Sequence, residues 1–160
     1  MAKLTPLLAL ALIATACGSH KAAAPPSPPS PGPGRILYQG SAWAVTLDHG
    51  KAFAEHLVGG TWKPDTTGLV KVSVLGPKPG SKGNPATPQV AFAMQASSDL
   101  ADSAMWVDGT ELLGKGGGLT PTTGTVYGAP TVPLEPGKHT AVAYARTATH
   151  ATAVAWTFST

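Results

Sequence analysis

Apolar and polar residues alternate along four short runs in the C-terminal part of the chain. In the first run, residues 70–75, three valines fall on one face and Lys71 and Ser73 on the other. Alternation with a period of two over four to eight residues is typical of a β-strand with one buried face. The same pattern recurs in three further runs, QVAFAMQ (89–95), AVAYAR (141–146) and AVAWTF (153–158).

Residues that favour turns separate these runs. They are GPKPG at 76–80, KGNP at 82–85, and the pairs Asp108-Gly109 and Pro136-Gly137. Asp108-Gly109, between MWV and TELL, predicts a tight type I′ hairpin, because both central residues of that turn need positive φ. Short strands joined by turns predict an all-β fold, an antiparallel β-sandwich.

Residues 48–60, DHGKAFAEHLVGG, show a different pattern, which predicts one short helix. Asp48 is a suitable N-cap, and Gly59-Gly60 is a suitable stop. Two pairs are spaced by four residues, as on one helical face, Lys51 with Glu55 and Phe53 with Leu57. We expect this helix to lie in an extension (35–67) and to pack on one end of a sandwich (68–160) through Trp43, Phe53 and Trp62.

Three motifs in the C-terminal half resemble one family when taken together. VDGTELL (107–113), VPLEPGKHTAVAYA (132–145) and ATAVAWTFST (151–160) resemble the bacterial immunoglobulin-like and fibronectin-type-III-like domains of surface and periplasmic proteins. The resemblance covers residues 68–160. It implies an immunoglobulin-like sandwich that serves as a non-catalytic binding or structural module.

The same resemblance implies a role for one residue, and the chain departs from the family pattern at one place. His139 stands where such domains often place a corner tyrosine, which implies a hydrogen bond to nearby backbone. Many relatives carry DxxGN in the final hairpin, whereas residues 146–152 read RTATHAT here. A turn or cation site that depends on those residues is therefore not implied.

The first sixteen residues have the layout of a secretory signal peptide. Lys3 supplies a positive charge, an apolar run follows over residues 4–13, and small residues precede Cys17. The run is about half the roughly 20 residues that a membrane-spanning helix needs. We therefore expect residues 1–16 to be removed and the rest to be exported.

The sequence ATAC at 14–17 resembles the lipobox of bacterial lipoproteins, which implies lipidation of Cys17 as the first mature residue. The family prefers Leu where this chain has Ala14. Residues 14–16 also fit the A-x-A site of ordinary secretion, and both alternatives cut before Cys17. The lipoprotein alternative places the protein on the cell or outer membrane, facing the periplasm or the exterior. The other leaves a secreted protein with a free thiol.

A segment rich in Pro, Ala, Ser and Gly follows, HKAAAPPSPPSPGPG at 20–34. It lacks the large apolar side chains needed for a core, so residues 17–34 are predicted to be a disordered stalk behind the anchor. In polyproline II conformation, residues 25–34 span about 30 Å, at about 3.1 Å per residue.

The charge and the cysteine content limit the partners and the disulfide bonds that we expect. The formal net charge is +3, and the basic residues are scattered rather than clustered, so nucleic acid is not an expected partner. The expected partners are the membrane, through lipid on Cys17, and a cell-envelope protein or polysaccharide. A single cysteine excludes a disulfide within the chain.

Two tryptophans are candidate binding residues. Trp106 alternates with Met105 and Val107, so it faces away from a core that contains those two residues. An exposed Trp106, or Trp62 in the extension, would suit a sugar ring or a partner protein. The alternative for Trp106 is burial under the N-terminal extension.

Metal binding and catalysis have weaker signals. His49 and His56, with Met105, suggest a zinc or copper site, but on a helix the two histidines are about 10 Å apart along the axis. The glycine-rich stretch GKGGGLT (114–120) lacks the Lys-Ser/Thr pair of a phosphate loop, and we interpret it as a loop. No nucleophile elbow or paired carboxylate motif appears, so we expect no enzyme activity and no cofactor.

Overall fold

The computed structural model describes residues 30–160. The predictions for the signal peptide, for Cys17 and for the stalk up to residue 29 lie outside these residues. Between residues 30 and 160 the chain forms twelve β-strands and no helix: β1 Arg35–Gln39, β2 Trp43–Asp48, β3 Lys51–Val58, β4 Thr61–Pro64, β5 Val70–Gly76, β6 Val90–Ala96, β7 Leu100–Val107, β8 Thr110–Glu111, β9 Lys115–Gly117, β10 Thr123–Gly128, β11 Lys138–Thr147 and β12 Ala151–Ser159.

The strands form three antiparallel sheets of four strands each. The N-terminal sheet is a meander in the order β1-β2-β3-β4. The flanking sheet has the order β5-β6-β10-β9, and the central sheet has the order β12-β11-β7-β8. Strands β5 to β12 therefore alternate between two sheets, whereas the first four strands pair only with their sequence neighbours. No helix within residues 30–160 is long and apolar enough to cross a membrane.

The larger core lies between the flanking and central sheets. Phe92 and Met94 of β6 face Trp156 and Phe158 of β12 across it. Small side chains of β11, those of Ala141, Ala143 and Ala145, face the same core. The inward positions predicted from alternation in β6 and at Trp156 and Phe158 are confirmed. The all-β fold is also confirmed, and the antiparallel sheets are consistent with a β-sandwich.

A second core covers the other face of the central sheet. Trp43, Val45 and Ala54 of the N-terminal sheet pack against four residues of the central sheet, Trp106, Val142, Tyr144 and Ala151. Because side chains alternate along a strand, β11 supplies its alanines to the first core and Val142 and Tyr144 to the second. The central sheet is thus buried on both faces, as the middle of three layers.

The helix predicted over residues 48–60 is wrong. These residues form the end of β2, strand β3 and two tight turns. His49 and Gly50 have φ of 47° and 77°, values that fit a type I′ turn and not a helix. Positions spaced by four share a face on a strand as well as on a helix, so the pairs used for the helix do not distinguish the two. Packing of Ala52 and Ala54 against the central sheet decides for the strand.

The predicted hairpin at Asp108-Gly109 is confirmed. Both residues have positive φ, 50° and 80°, and they join β7 to β8 with Val107 opposite Thr110. The glycine-rich stretch interpreted as a loop contains strand β9, which pairs with β10 at the edge of the flanking sheet.

The last residues of the Pro-rich segment, 31–34, form a strap across the outer face of the N-terminal sheet. The Gly32 amide donates to Oε2 of Glu55 at 2.8 Å, and the Thr46 hydroxyl donates to Oε1 at 3.0 Å. Glu55 is buried as a result. A Cβ on Gly32 would lie 2.7 Å from Oε1, so a larger residue there would displace the Glu55 carboxylate. Gly34, with φ of 107°, then reverses the chain into β1.

Candidate binding cleft

An open cleft lies at one end of the sandwich, between the β7–β8 hairpin and the segment that leads into β11. Its volume is about 530 Å³, within the roughly 300–1,000 Å³ of ordinary ligand pockets. Residues 107–113 form one wall and residues 129–135 form the other. The two walls come from connections between strands, where binding residues often occur.

The lining of the cleft is largely apolar. Leu112 and Pro130 are buried in the wall, and Leu134 packs partly on the larger core. Leu113 and Val132 instead are exposed at the rim, with 87% and 72% of their surface accessible. They are the two most exposed large apolar side chains among residues 30–160. Exposed apolar side chains that line one cleft are typical of an interaction site.

The polar groups of the cleft are mainly acidic. Asp108, Glu111 and Glu135 line it together with His139, and no Lys or Arg does. The whole chain has eight acidic and eleven basic residues. Three of the eight carboxylates of a basic protein therefore meet at one cleft.

His139 connects the two walls. Its Nδ1 lies 2.7 Å from Oδ2 of Asp108, and its Nε2 lies 2.8 Å from the carbonyl oxygen of Glu135. The hydrogen bond to Asp108 raises the pKa of His139, and the bond to Glu135 adds to this, whereas burial acts in the opposite direction. The hydrogen bond to nearby backbone implied for the corner position is confirmed.

The same hairpin also contacts the N-terminal sheet. Arg35 Nη1 donates to the carbonyl of Asp108 at 2.9 Å, and Oδ1 of Asp108 accepts the Thr140 amide at 2.8 Å. Asp108 thereby joins β1, β7 and β11 at the base of the cleft. Its position is fixed by backbone bonds and not only by its ion pair with His139.

The two candidate tryptophans lie away from this cleft. Trp106 faces away from Met105 and Val107, as predicted, but the N-terminal sheet covers it and leaves only 2% exposed. The exposure considered for Trp106 is therefore absent, and burial under the extension is what the structure has, with strands in place of the helix. Trp62, on β4, is 9% exposed. Neither indole offers an open face for stacking on a sugar.

The two candidate histidines are also separated. His49 occupies the β2–β3 turn, whereas His56 stacks on Trp43 with ring centroids 4.2 Å apart. Lys51 and His56 are five positions apart on an extended strand, a separation of about 17 Å at 3.3–3.4 Å per residue. No group of three or more His, Cys, Asp or Glu side chains within residues 30–160 is arranged to hold a metal ion.

Sequence reasoning missed the cleft residues. Leu113 follows Leu112 and so breaks the alternation of its hairpin, and Val132 lies among three prolines in APTVPLEP (129–136). Both are apolar residues outside any alternating strand pattern. This irregularity is the signal that the sequence carries. Whether such residues are buried depends on neighbours that are distant in sequence.

No protein-family model matches the chain, and no curated protein matches it by sequence.

Proposed function

We propose that this chain is an exported bacterial protein, held on an envelope membrane by lipid on Cys17, that works as a non-catalytic binding module. The observation that carries the binding role is the cleft, with Leu113 and Val132 exposed beside a volume of about 530 Å³. Apolar side chains that a folded domain leaves in water at a concave site gain free energy when a partner covers them.

The strand order supports an immunoglobulin-like sandwich. Strands β5-β6-β10-β9 in one sheet and β12-β11-β7-β8 in the other correspond to the orders A-B-E-D and G-F-C, with one added edge strand. His139 lies near the start of β11, which corresponds to strand F and to the place of the corner tyrosine, and it bonds to backbone four residues upstream. The fold class by itself says nothing about the ligand.

The strap leaves the cleft open. Gly32 lies beside Glu55 on the N-terminal sheet, and none of residues 30–34 lines the cleft. The described part of the N-terminal segment therefore does not compete with a ligand for this site.

The hydrogen bonds of His139 support a binding role over a catalytic one. Both of its ring nitrogens are occupied, by Asp108 and by the carbonyl of Glu135. A general base needs a free nitrogen within reach of substrate. In this cleft His139 holds the walls together.

Site-specific photo-crosslinking in intact cells tests the binding role. A photoreactive side chain replaces Leu113, and the matched control replaces Leu75, an exposed leucine on the flanking sheet. We expect a discrete crosslinked product from position 113 and none from position 75. Equal products from both positions, or none from position 113, would contradict a ligand in the cleft.

A further inference from the structure

We infer that the cleft binds an extended peptide segment of a partner protein, one in which an apolar side chain lies next to Lys or Arg. This inference rests on the proposed binding role and names its ligand. Three features of the described residues lead to it: the apolar walls, the sign of the charges, and an open strand edge.

The apolar walls set the first requirement. Leu112, Pro130 and Leu134 lie in the walls, and Leu113 and Val132 stand at the rim. A side chain of the size of Leu or Val covers such residues and removes their surface from water, at about 25 cal/mol per Å². A fully polar ligand would leave them exposed.

The charges set the second requirement. Glu111 and Glu135 are exposed carboxylates on opposite walls. Arg35 donates to the carbonyl of Asp108, and no Lys or Arg lines the cleft. A basic side chain on the ligand is therefore attracted from both walls, and an acidic one is repelled.

The strand edge favours a peptide over a small amine. Strand β8 is the outermost strand of the central sheet. Leu112 donates to the carbonyl of Met105 at 2.9 Å, and Thr110 pairs with Val107, so by alternation the amide and carbonyl of Glu111 point away from β7. An extended segment can pair with those groups and send alternate side chains into the cleft and toward the carboxylates.

Methyl NMR on the full chain, labelled at Leu and Val methyl groups, tests this inference. The probes are two blocked hexapeptides, Gly-Leu-Lys-Val-Lys-Gly and Gly-Leu-Glu-Val-Glu-Gly. We expect the lysine peptide to shift the methyl resonances of Leu112, Leu113, Val132 and Leu134 in a saturable way. We expect it to bind about tenfold more tightly than the glutamate peptide at low ionic strength, with the difference shrinking as salt rises.

Matched variants assign the effect to the cleft. The double variant Glu111→Gln/Glu135→Gln is expected to lose most of the tenfold preference, whereas Asp99→Asn, at an exposed carboxylate in another turn, keeps it. Leu113→Ser is expected to weaken binding of both peptides, and Leu75→Ser is expected to leave it unchanged. All five substituted positions are exposed, so the variants retain the fold.

The outcomes separate this inference from the proposed function. Equal binding of both peptides would overturn the basic ligand class while leaving a cleft that binds apolar segments. Absence of shifts at the four residues with either peptide would overturn the peptide ligand. The crosslink from position 113 then decides independently whether the cleft takes a ligand of another class.

Discussion

His49 occupies a backbone conformation that few residues other than glycine adopt readily. Its φ of 47° precedes Gly50 at 77°, and Asn-Gly is the favoured pair for such a type I′ turn. We expect His49→Asn to raise the free energy of unfolding by about 0.5 kcal/mol, because Asn tolerates the left-handed region better than His. Urea unfolding measures the change. A loss of stability would contradict the turn, since Asn is no better than His within a helix.

His139 makes the stability of the protein depend on pH in a definite direction. Its pKa is raised in the folded state above the usual 6.5, first by the hydrogen bond to Asp108. The protonated form therefore stabilises the fold, fully below about pH 6.5, and this contribution is lost as pH rises through the raised pKa. We expect the wild type to lose more stability between pH 5.5 and pH 8 than His139→Gln does.

The partner residue supplies the control for this pH effect. Asp108→Asn keeps an acceptor for the Thr140 amide but removes the charge that faces His139. We expect its loss of stability over the same pH range to be smaller than that of the wild type. Urea unfolding at each pH measures the stabilities. Identical pH profiles for the wild type and both variants would exclude His139 as the source of the pH dependence.

Single residues also show which features can be predicted from the sequence and which cannot. The alternation around Phe92, Trp156 and Phe158 predicted their burial, because one buried face gives a strand its period of two. The same alternation predicts the orientation of Trp106. It does not predict whether Trp106 is exposed, because the strands that cover it belong to the N-terminal sheet. Leu113 and Val132 carry no pattern, and only the packed structure assigns them to the cleft.

At the scale of elements, the strap depends on one buried carboxylate. Glu55 accepts hydrogen bonds from the Gly32 amide and the Thr46 hydroxyl. We expect Glu55→Ala to lower the free energy of unfolding by about 2 kcal/mol, because both donors lose their acceptor in a buried place. Lys51→Ala, on the same face of β3 but exposed, is expected to change it by less than about 0.5 kcal/mol. Equal effects in urea unfolding would show that the strap is not held by Glu55.

The hairpin elements differ in how far the sequence predicts them. Asp108-Gly109 is both a common turn pair and a break between two apolar runs, so the β7–β8 hairpin was predicted correctly. His49-Gly50 lacks the first signal, and the residues after it are spaced by four, which suits either a helix or a strand. The contact of Ala52 and Ala54 with the central sheet favours the strand over the helix, and that sheet is distant in sequence.

At the scale of the molecule, the N-terminal strands are a structural layer and not an appendage. They cover Trp106, Val142 and Tyr144 on the central sheet, which would otherwise present a broad apolar face to water. The chain has a single cysteine, so no internal disulfide stabilises this arrangement, and the two cores must do so. With that face covered, the end cleft and its exposed Leu113 and Val132 support the proposed binding role.

The mass and location of the mature protein test the proposed anchor most directly. The full chain and its Cys17→Ser variant are expressed in a bacterium, membrane and soluble fractions are separated, and intact masses are taken. We expect the wild type in the membrane fraction, beginning at Cys17 and heavier by a diacylglycerol or by that group plus an acyl chain, and we expect the variant to lack this species. A soluble wild-type protein that begins at Cys17 with unmodified mass would contradict the anchor and indicate ordinary secretion with a free thiol.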